Sequence, residues 1–408
     1  MKIKRLKKWI SNLSAMLAIT LVAILLFEIG LRTAGVSYPN FYRPDEYTGF
    51  SLRPGAEGWY RGEGEAYVRI NSQGLRDREH SMTKPSNTLR IAVLGDSMAE
   101  ARQVALEDTF WAVLERDLKT CPGLGGRDAE AINFGVSGYG TAQELITLRL
   151  RVWHYSPDIV ILAFLTDNDI RDNFRALQSD PRRPYFTYEN GTLVLDASFR
   201  NEGAYRASRT ALGKLFYWAV DYLRVLQLLN EVKNRIKSNA IHRSQMAEKF
   251  QGLAAGLELP DLVYLEPSDL LWKEAWRVTE GLIVLTRNEV KQKGADFLVV
   301  TLTNPIQVYP DASVRKRFMQ RVGVADLFYP DRRIKAVGLR EDFSVLNLAE
   351  TFQTYAEQHK VFLHGFEPHP GGGHWNKEGH RLAGNTIAER LCRDITARGG
   401  ARPFQMNP

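Results

Sequence analysis

Five short, largely apolar runs, separated by stretches with helical spacing, constrain the fold of this chain more than any other feature. The runs are 90–94 (RIAVL), 130–136 (EAINFGV), 158–165 (DIVILAFL), 296–302 (DFLVVTL) and 343–348 (FSVLNL). Their length and lack of polar alternation fit strands buried on both faces. Helical patterns occupy 108–119, 141–152, 274–293 and 376–393. Strands alternating with helices predict a parallel sheet covered on both faces, and ligands of such sheets bind beyond the carboxyl ends of the strands. With 408 residues, 44% hydrophobic and 25% charged, the chain can bury a core of that kind.

Two segments break the rhythm. Residues 36–88 are rich in Gly, Pro, Tyr and Arg ("YRPDEYTGFSLRPGAEGWYRGEG") and read as an irregular or short-stranded apron, with "AYVRINSQGL" as its best strand. Residues 174–270 carry a hairpin signal, Asn190-Gly191 between alternating runs, and then a long amphipathic pattern, "TALGKLFYWAVDYLRVLQLLNEVKNRIKSN". Asp221 and Arg224 within that pattern argue against a second membrane span. The segment is expected to be an insertion, either a lid over the strand ends or a structural subdomain. Residues 89–173 and 271–398 then form the main domain.

The net charge of +7 is concentrated at one end, because Lys2, Lys4, Arg5, Lys7 and Lys8 leave only +2 for the rest of the chain. No basic stripe interleaved with aromatics follows, so nucleic acid is not an expected partner. After the basic head (1–8), Trp9 to Phe27 is 19 residues without a charge, enough to cross a bilayer. The expectation is an anchor over 9–31 with the head in the cytoplasm and the remainder outside it, periplasmic or on the cell exterior. A cleaved signal peptide is the rival. It is disfavoured because its apolar region is usually shorter and because Glu28 and Arg32 stand where a small-residue cleavage site would follow.

The chemistry-bearing residues sit at strand ends. The first strand runs into Gly95-Asp96-Ser97. The second runs into "NFGVSGYGT", with Gly135 and Gly138, where backbone can approach a ligand and point an N–H at developing negative charge. The third runs into "FLTDNDIRDN", where Asn168 is a neutral side-chain donor. The segment "GGGHWNKEGHRLAG" places His374 just ahead of the last helix, as a base for a serine hydroxyl. Ser137 fails the Gly-x-Ser-x-Gly elbow because Tyr139 stands where the second glycine belongs.

This order of serine, glycine, asparagine and histidine resembles the four sequence blocks of the SGNH, or GDSL, hydrolase superfamily, over roughly residues 88–393. The anchor, "INSQGLRD", "GDS", "NFGVSGYGT", "DNDIRDN" and "GHWNKEGHRLAG" look like the membrane-anchored SGNH proteins of bacterial envelopes. The resemblance implies a flavodoxin-like three-layer α/β/α sandwich with a five-stranded parallel sheet. It also implies Ser97 as nucleophile, the Ser97 and Gly138 N–H groups with the Asn168 amide as oxyanion hole, and His374 as base. The implied reaction is hydrolysis of short acyl, acetyl-type esters, on an envelope polysaccharide in the finer reading. O-acyl transfer to carbohydrate hydroxyls and a catalytically inactive binding or assembly role are the alternatives. No cofactor or metal is implied.

One departure stands out. The family usually places an aspartate three residues before its histidine, and here that position is Gly371. The imidazole must be oriented by a backbone carbonyl, by another acid such as Glu367, or by nothing. Asp167 also replaces the glycine common before the asparagine. His359, His364, His369, His374 and His380 crowd the C-terminal region without metal-ligand spacing; His364, His369 and His380 are expected at the surface or in caps. In a flavodoxin-like sheet the first and last helices cover the same face and run parallel, so Cys121 and Cys392, near their C-terminal ends, are expected to form a disulfide.

Overall fold

The computed structural model describes residues 2–178, 180–233, 236 and 259–397. The end of the amphipathic pattern of the insertion, from 237, lies outside the described residues. The chain divides into two compact bodies. One comprises Met1–Asn40 with Ala207–Glu248, and the other Phe41–Arg206 with Lys249–Pro408.

The larger body opens with two short antiparallel hairpins, β1 (Tyr42–Asp45) with β2 (Gly49–Leu52) and β3 (Glu57–Tyr60) with β4 (Ala66–Arg69). A five-stranded parallel sheet follows, made of β5 (Thr88–Gly95), β6 (Asp128–Asn133), β7 (Ile159–Leu165), β10 (Asp296–Leu302) and β11 (Ser344–Asn347). Its spatial order is β11-β10-β7-β5-β6, so the chain runs outward from β5 to β6 and then crosses back to β7. That is the flavodoxin-like order, and its switch point opens a crevice at the carboxyl ends of β5 and β7.

Residue alternation along the strands assigns the two layers of helices. Ile91, Val93, Ile159, Ile161 and Val300 point into one core with α3 (Phe110–Leu118), α12 (Ala349–His359) and α13 (Lys377–Ala397). Ala92, Leu94, Val160, Leu162 and Val299 point into the other, with α4 (Thr141–Leu150), α9 (Leu270–Gln292) and α11 (Tyr329–Glu341). The shorter α2 (Ser97–Glu100) and α5 (Asn168–Asp172) begin at strand ends, and α10 (Ala312–Val322) precedes α11. Each buried Val, Leu or Ile contributes about 1.5–3 kcal/mol, and β7, at the centre of the sheet, carries no polar residue on either face.

The hairpin expected at Asn190-Gly191 is present, as β8 (Tyr185–Glu189) paired with β9 (Thr192–Asp196). Both turn residues have positive φ, 49° and 81°, the backbone that a two-residue turn of this twist demands and that Asn-Gly supplies. A second hairpin, β12 (His364–Phe366) with β13 (His369–Trp375), forms in a Gly- and Pro-rich stretch that is not among the expected strands. Strand propensity is weak there, and side-chain anchoring described below holds the hairpin.

Cys121, just beyond α3, is bonded to Cys392 on α13 with their Cα atoms 5.6 Å apart. The pairing ties two helices that already pack on the same face and closes a loop with a sequence separation of 271 residues.

The smaller body contains α1 (Lys2–Thr33), α7 (Ala211–Tyr222) and α8 (224–233), with α6 (Gly203–Arg209) leading into α7 at the boundary. Residues 7–33 of α1 form a helix long and apolar enough to cross a membrane. Replacing both cysteines by serine is expected to lower the unfolding free energy of the larger body by about 2–4 kcal/mol, measured by denaturant titration; unchanged stability would contradict a structural role for the link.

Candidate active site

Strand β5 stops at Gly95 because nothing larger fits. A Cβ there would lie 2.8 Å from Ala99 Cβ and 3.2 Å from Ala163. The chain turns at once into α2, with Asp96 as its cap: one carboxylate oxygen accepts the Met98 N–H at 2.8 Å. Asp96 is fully buried, and burial pushes its carboxyl up to about 6 against the hydrogen bonds it accepts. Ser97 is the first residue of α2, so its N–H has no acceptor within the helix. Its hydroxyl lies 2.8 Å from Nε2 of His374.

His374 stands near the open end of the β12–β13 hairpin, and its other ring nitrogen, Nδ1, meets the Glu63 carboxylate. A carboxylate can only accept, so the ring proton sits on Nδ1 and leaves Nε2 free to take the serine proton. Burial raises the Glu63 pKa, but the hydrogen bonds and charge of His374 outweigh it and hold the carboxyl below its ordinary value. Glu63 lies at the tip of the β3–β4 hairpin, between Gly62 and Gly64. Gly64 has φ +70°, and a Cβ on it would meet Gln103 O at 2.6 Å and the Phe366 ring at 2.9 Å. The tip can therefore insert only because it carries glycine.

The same geometry explains the absent aspartate. Gly371 has φ +82°, and a Cβ there would strike the Tyr309 ring at 2.7 Å and the Phe362 ring at 2.9 Å. Gly373 has φ +68°, and its Cβ would fall 1.6 Å from a Glu63 oxygen. A side chain at the customary position is excluded, and the space beside the histidine is filled from the other end of the domain. This corrects the expectation for Glu367. That residue is exposed in the turn beyond Phe366↔His369, at the opposite end of the hairpin from His374. The sequence carried one signal of Glu63, an acid flanked by two glycines between short strands, but nothing in it linked residue 63 to residue 374.

Two further histidines, expected at the surface or in caps, are not at the surface, and His380 takes the N–H of the first residue of α3. His364 and His380 are buried, each 1% exposed. His364 bridges the Gly373 carbonyl and the Thr303 hydroxyl, 2.8 Å from each, and Thr303 also accepts the Trp375 indole N–H at 2.7 Å. These bonds grip β13 on both sides of His374. Burial pushes His364 down to about 4, so it is neutral at pH 7. His380 accepts the Phe110 N–H and stacks on the Phe110 ring, and burial pushes it down to about 3.

Gly138 follows β6 with φ +81°. Ser137 N–H donates to Glu100 Oε2 at 2.5 Å, which ties this turn to the last residue of α2. The guanidinium of Arg183, 3% exposed and from the 174–206 part of the insertion, donates to the Gly138 carbonyl and pairs with Asp172 at 3.2 Å. The Gly138 N–H meets no acceptor among the described residues. Asn168 opens α5 at the end of β7; its Nδ2 donates to Asp96 Oδ2 at 3.3 Å, while Arg171 donates to its oxygen at 3.2 Å. Asp167 takes up the same Arg171 at 3.1 Å. Ser97 and His374 are thus joined directly, Asn168 through Asp96, and Gly138 through the Glu100 contact of its neighbour.

No model of a known family matches the sequence, and no curated protein matches it. Solved structures do align with it. A catalytic mutant of an acetylxylan esterase from Geobacillus stearothermophilus aligns over 78% of this chain and 97% of its own, at 11% identity and TM-score 0.36. A GDSL-like lipase from Bacteroides thetaiotaomicron aligns over 77% and 92%, at 12% identity and TM-score 0.33. A lipase/acylhydrolase from Enterococcus faecalis aligns over 75% and 96%, at 13% and 0.35. These proteins are acyl-ester hydrolases by description. At such scores the likeness is loose.

Two outcomes are expected from this packing. Gly371→Asp should destabilise the fold by about 1–3 kcal/mol, through strain at a left-handed backbone position and collision with Tyr309, in denaturant unfolding. The Glu63–His374 contact stabilises the protein above pH 4.5, the ordinary carboxyl value, and this contribution is lost as pH falls through the depressed value. Glu63→Gln should therefore flatten the acid side of the stability–pH curve relative to wild type.

Proposed function

We propose that this protein is a serine esterase of the SGNH type that cleaves short acyl esters through an acyl-enzyme on Ser97. The observation that carries the reading is the continuous relay from the Ser97 hydroxyl through His374 to the Glu63 carboxylate, placed at the switch point of a parallel sheet. His374 Nε2 takes the hydroxyl proton as Oγ attacks the acyl carbonyl. Glu63 keeps Nδ1 protonated and stabilises the imidazolium that forms. The oxyanion is met by the N–H groups of Ser97 and Gly138 and by the Asn168 amide, and each such donor is typically worth about a hundred- to a thousand-fold in rate. The imidazolium then protonates the departing alcohol, and water, deprotonated by the same histidine, releases the acid and restores Ser97.

Glu63 weakens the case for an inactive binding protein, which rested on the missing aspartate. The finer reading is an acetyl ester on an envelope polysaccharide, with a sugar hydroxyl in place of water as an alternative acceptor. Placement outside the cytoplasmic membrane draws support from two independent features. The apolar N-terminal helix follows a basic head, and the Cys121–Cys392 disulfide suits an oxidising compartment.

The test uses the detergent-solubilised full chain with p-nitrophenyl acetate and a fluorophosphonate. Turnover and a mass adduct on Ser97 are expected, both lost in Ser97→Ala. Glu63→Gln should lower kcat by about ten- to ten-thousand-fold, while Glu367→Gln leaves it unchanged. Wild-type protein that neither turns over nor labels would overturn the reading. Acetyl transfer to an added oligosaccharide would decide between sugar and water as acceptor.

A further inference from the structure

Within the smaller body, α1 does not end free. Glu28, 8% exposed and one turn before the end of α1, accepts the N–H groups of Arg224 and Val225 on its two carboxylate oxygens, each at 3.0 Å. Those are the first residues of α8, so Glu28 caps a helix that starts 196 residues later. Arg32 donates to Glu28 at 2.8 Å and to the carbonyl of Tyr222, the last residue of α7, at 2.7 Å. Gln227 bridges the Asp221 carbonyl, at 2.9 Å, and the Tyr38 N–H, at 3.3 Å. The α7–α8 corner is therefore clamped to the last turn of α1 and to the chain that leaves it.

The helix held there, α7, presents a largely exposed apolar face. Leu212, Leu215, Phe216 and Tyr222 are 79%, 58%, 58% and 56% exposed, with Trp218 beside them at 55%. Leu212, Leu215, Phe216, Ala219 and Tyr222 follow the three- and four-residue spacing of one helical stripe. Val220, four residues beyond Phe216 at the flank of the stripe, is the buried side chain of the helix, 5% exposed. Large apolar side chains left in water forgo the gain of burial, so such a stripe marks a contact surface.

We propose that α7 lies in the outer interface of the bilayer that α1 crosses, with this stripe facing the acyl chains. The inference rests on the membrane placement proposed above. Its occupant is lipid because the stripe adjoins a lipid surface that the same body already owns: the side chains of α1 leading up to the clamp are bare and apolar, Leu25 at 58% and Leu26 at 63% exposed. A bilayer core needs about 20 helical residues, and the span has 27, so the Glu28–Arg32 clamp falls at the headgroup boundary. Trp218 and Tyr222 are the side chains that favour that boundary. Lys214 is exposed off the stripe and Asp221 is half-buried, which fits a helix lying in the interface and not one crossing it.

The test places a fluorescent thiol label on full-length chain in phosphatidylcholine–phosphatidylglycerol nanodiscs, one site at a time, at Leu215→Cys, Lys214→Cys and Leu21→Cys. The native cysteines are bonded to each other and do not react. Circular dichroism matching wild type confirms that each variant is folded. The Leu215 label should be quenched several-fold more than the Lys214 label, and more by lipid carrying a nitroxide near the headgroup than by one carrying it near the chain end. The Leu21 label should show the reverse depth preference. A Leu215 label open to water while Leu21 lies in lipid would overturn the inference and spare the anchor. A Leu215 label shielded from water yet unquenched by lipid would overturn it in favour of a protein partner. Both labels in water would overturn the anchor itself.

Discussion

The contact between Glu63 and His374 organises the larger body of this protein. It joins residues 311 positions apart, so the β3–β4 hairpin must lie against the β12–β13 hairpin, and several local choices follow. Gly64 lets the tip enter beside Phe366, and Gly373 leaves room for the carboxylate. A single pair of groups dictates glycine at positions on both hairpins.

The histidine is held as firmly as its partner is delivered. His364 and Thr303 anchor β13 from beneath through the Gly373 carbonyl and the Trp375 indole. Both histidines buried behind the site are held neutral by burial, so they place no positive charge behind His374. On the serine side, Asp96 caps α2 and receives Asn168, while Glu100 at the other end of that short helix holds the Ser137 N–H. One turn of helix thereby connects the three strand ends.

Much of the fold was legible because parallel strands buried on both faces leave a strong mark. DIVILAFL and DFLVVTL have no other comfortable home, and Asn190-Gly191 states its own turn. The disulfide followed once the first and last helices were placed on one face. Less legible were the helices after β10 and the β12–β13 hairpin, where Gly and Pro hide a strand held by long-range side-chain bonds. His364 and His380 read as surface or capping residues since a histidine carries no sequence mark of the partner that makes burial tolerable.

The sequence alone determined the order of sheet and helices, the apolar N-terminal span, and Ser97, Gly138, Asn168 and His374 as candidates at strand ends. Those are properties of local periodicity and spacing, which a linear chain displays directly. Only the tertiary structure decided which acid stands beside the histidine. Glu367 is seven residues from His374 yet lies at the far end of its hairpin, whereas Glu63 is distant in sequence and adjacent in space. Proximity between a hairpin tip and a strand is set by packing of whole elements, and no local pattern in either segment encodes it.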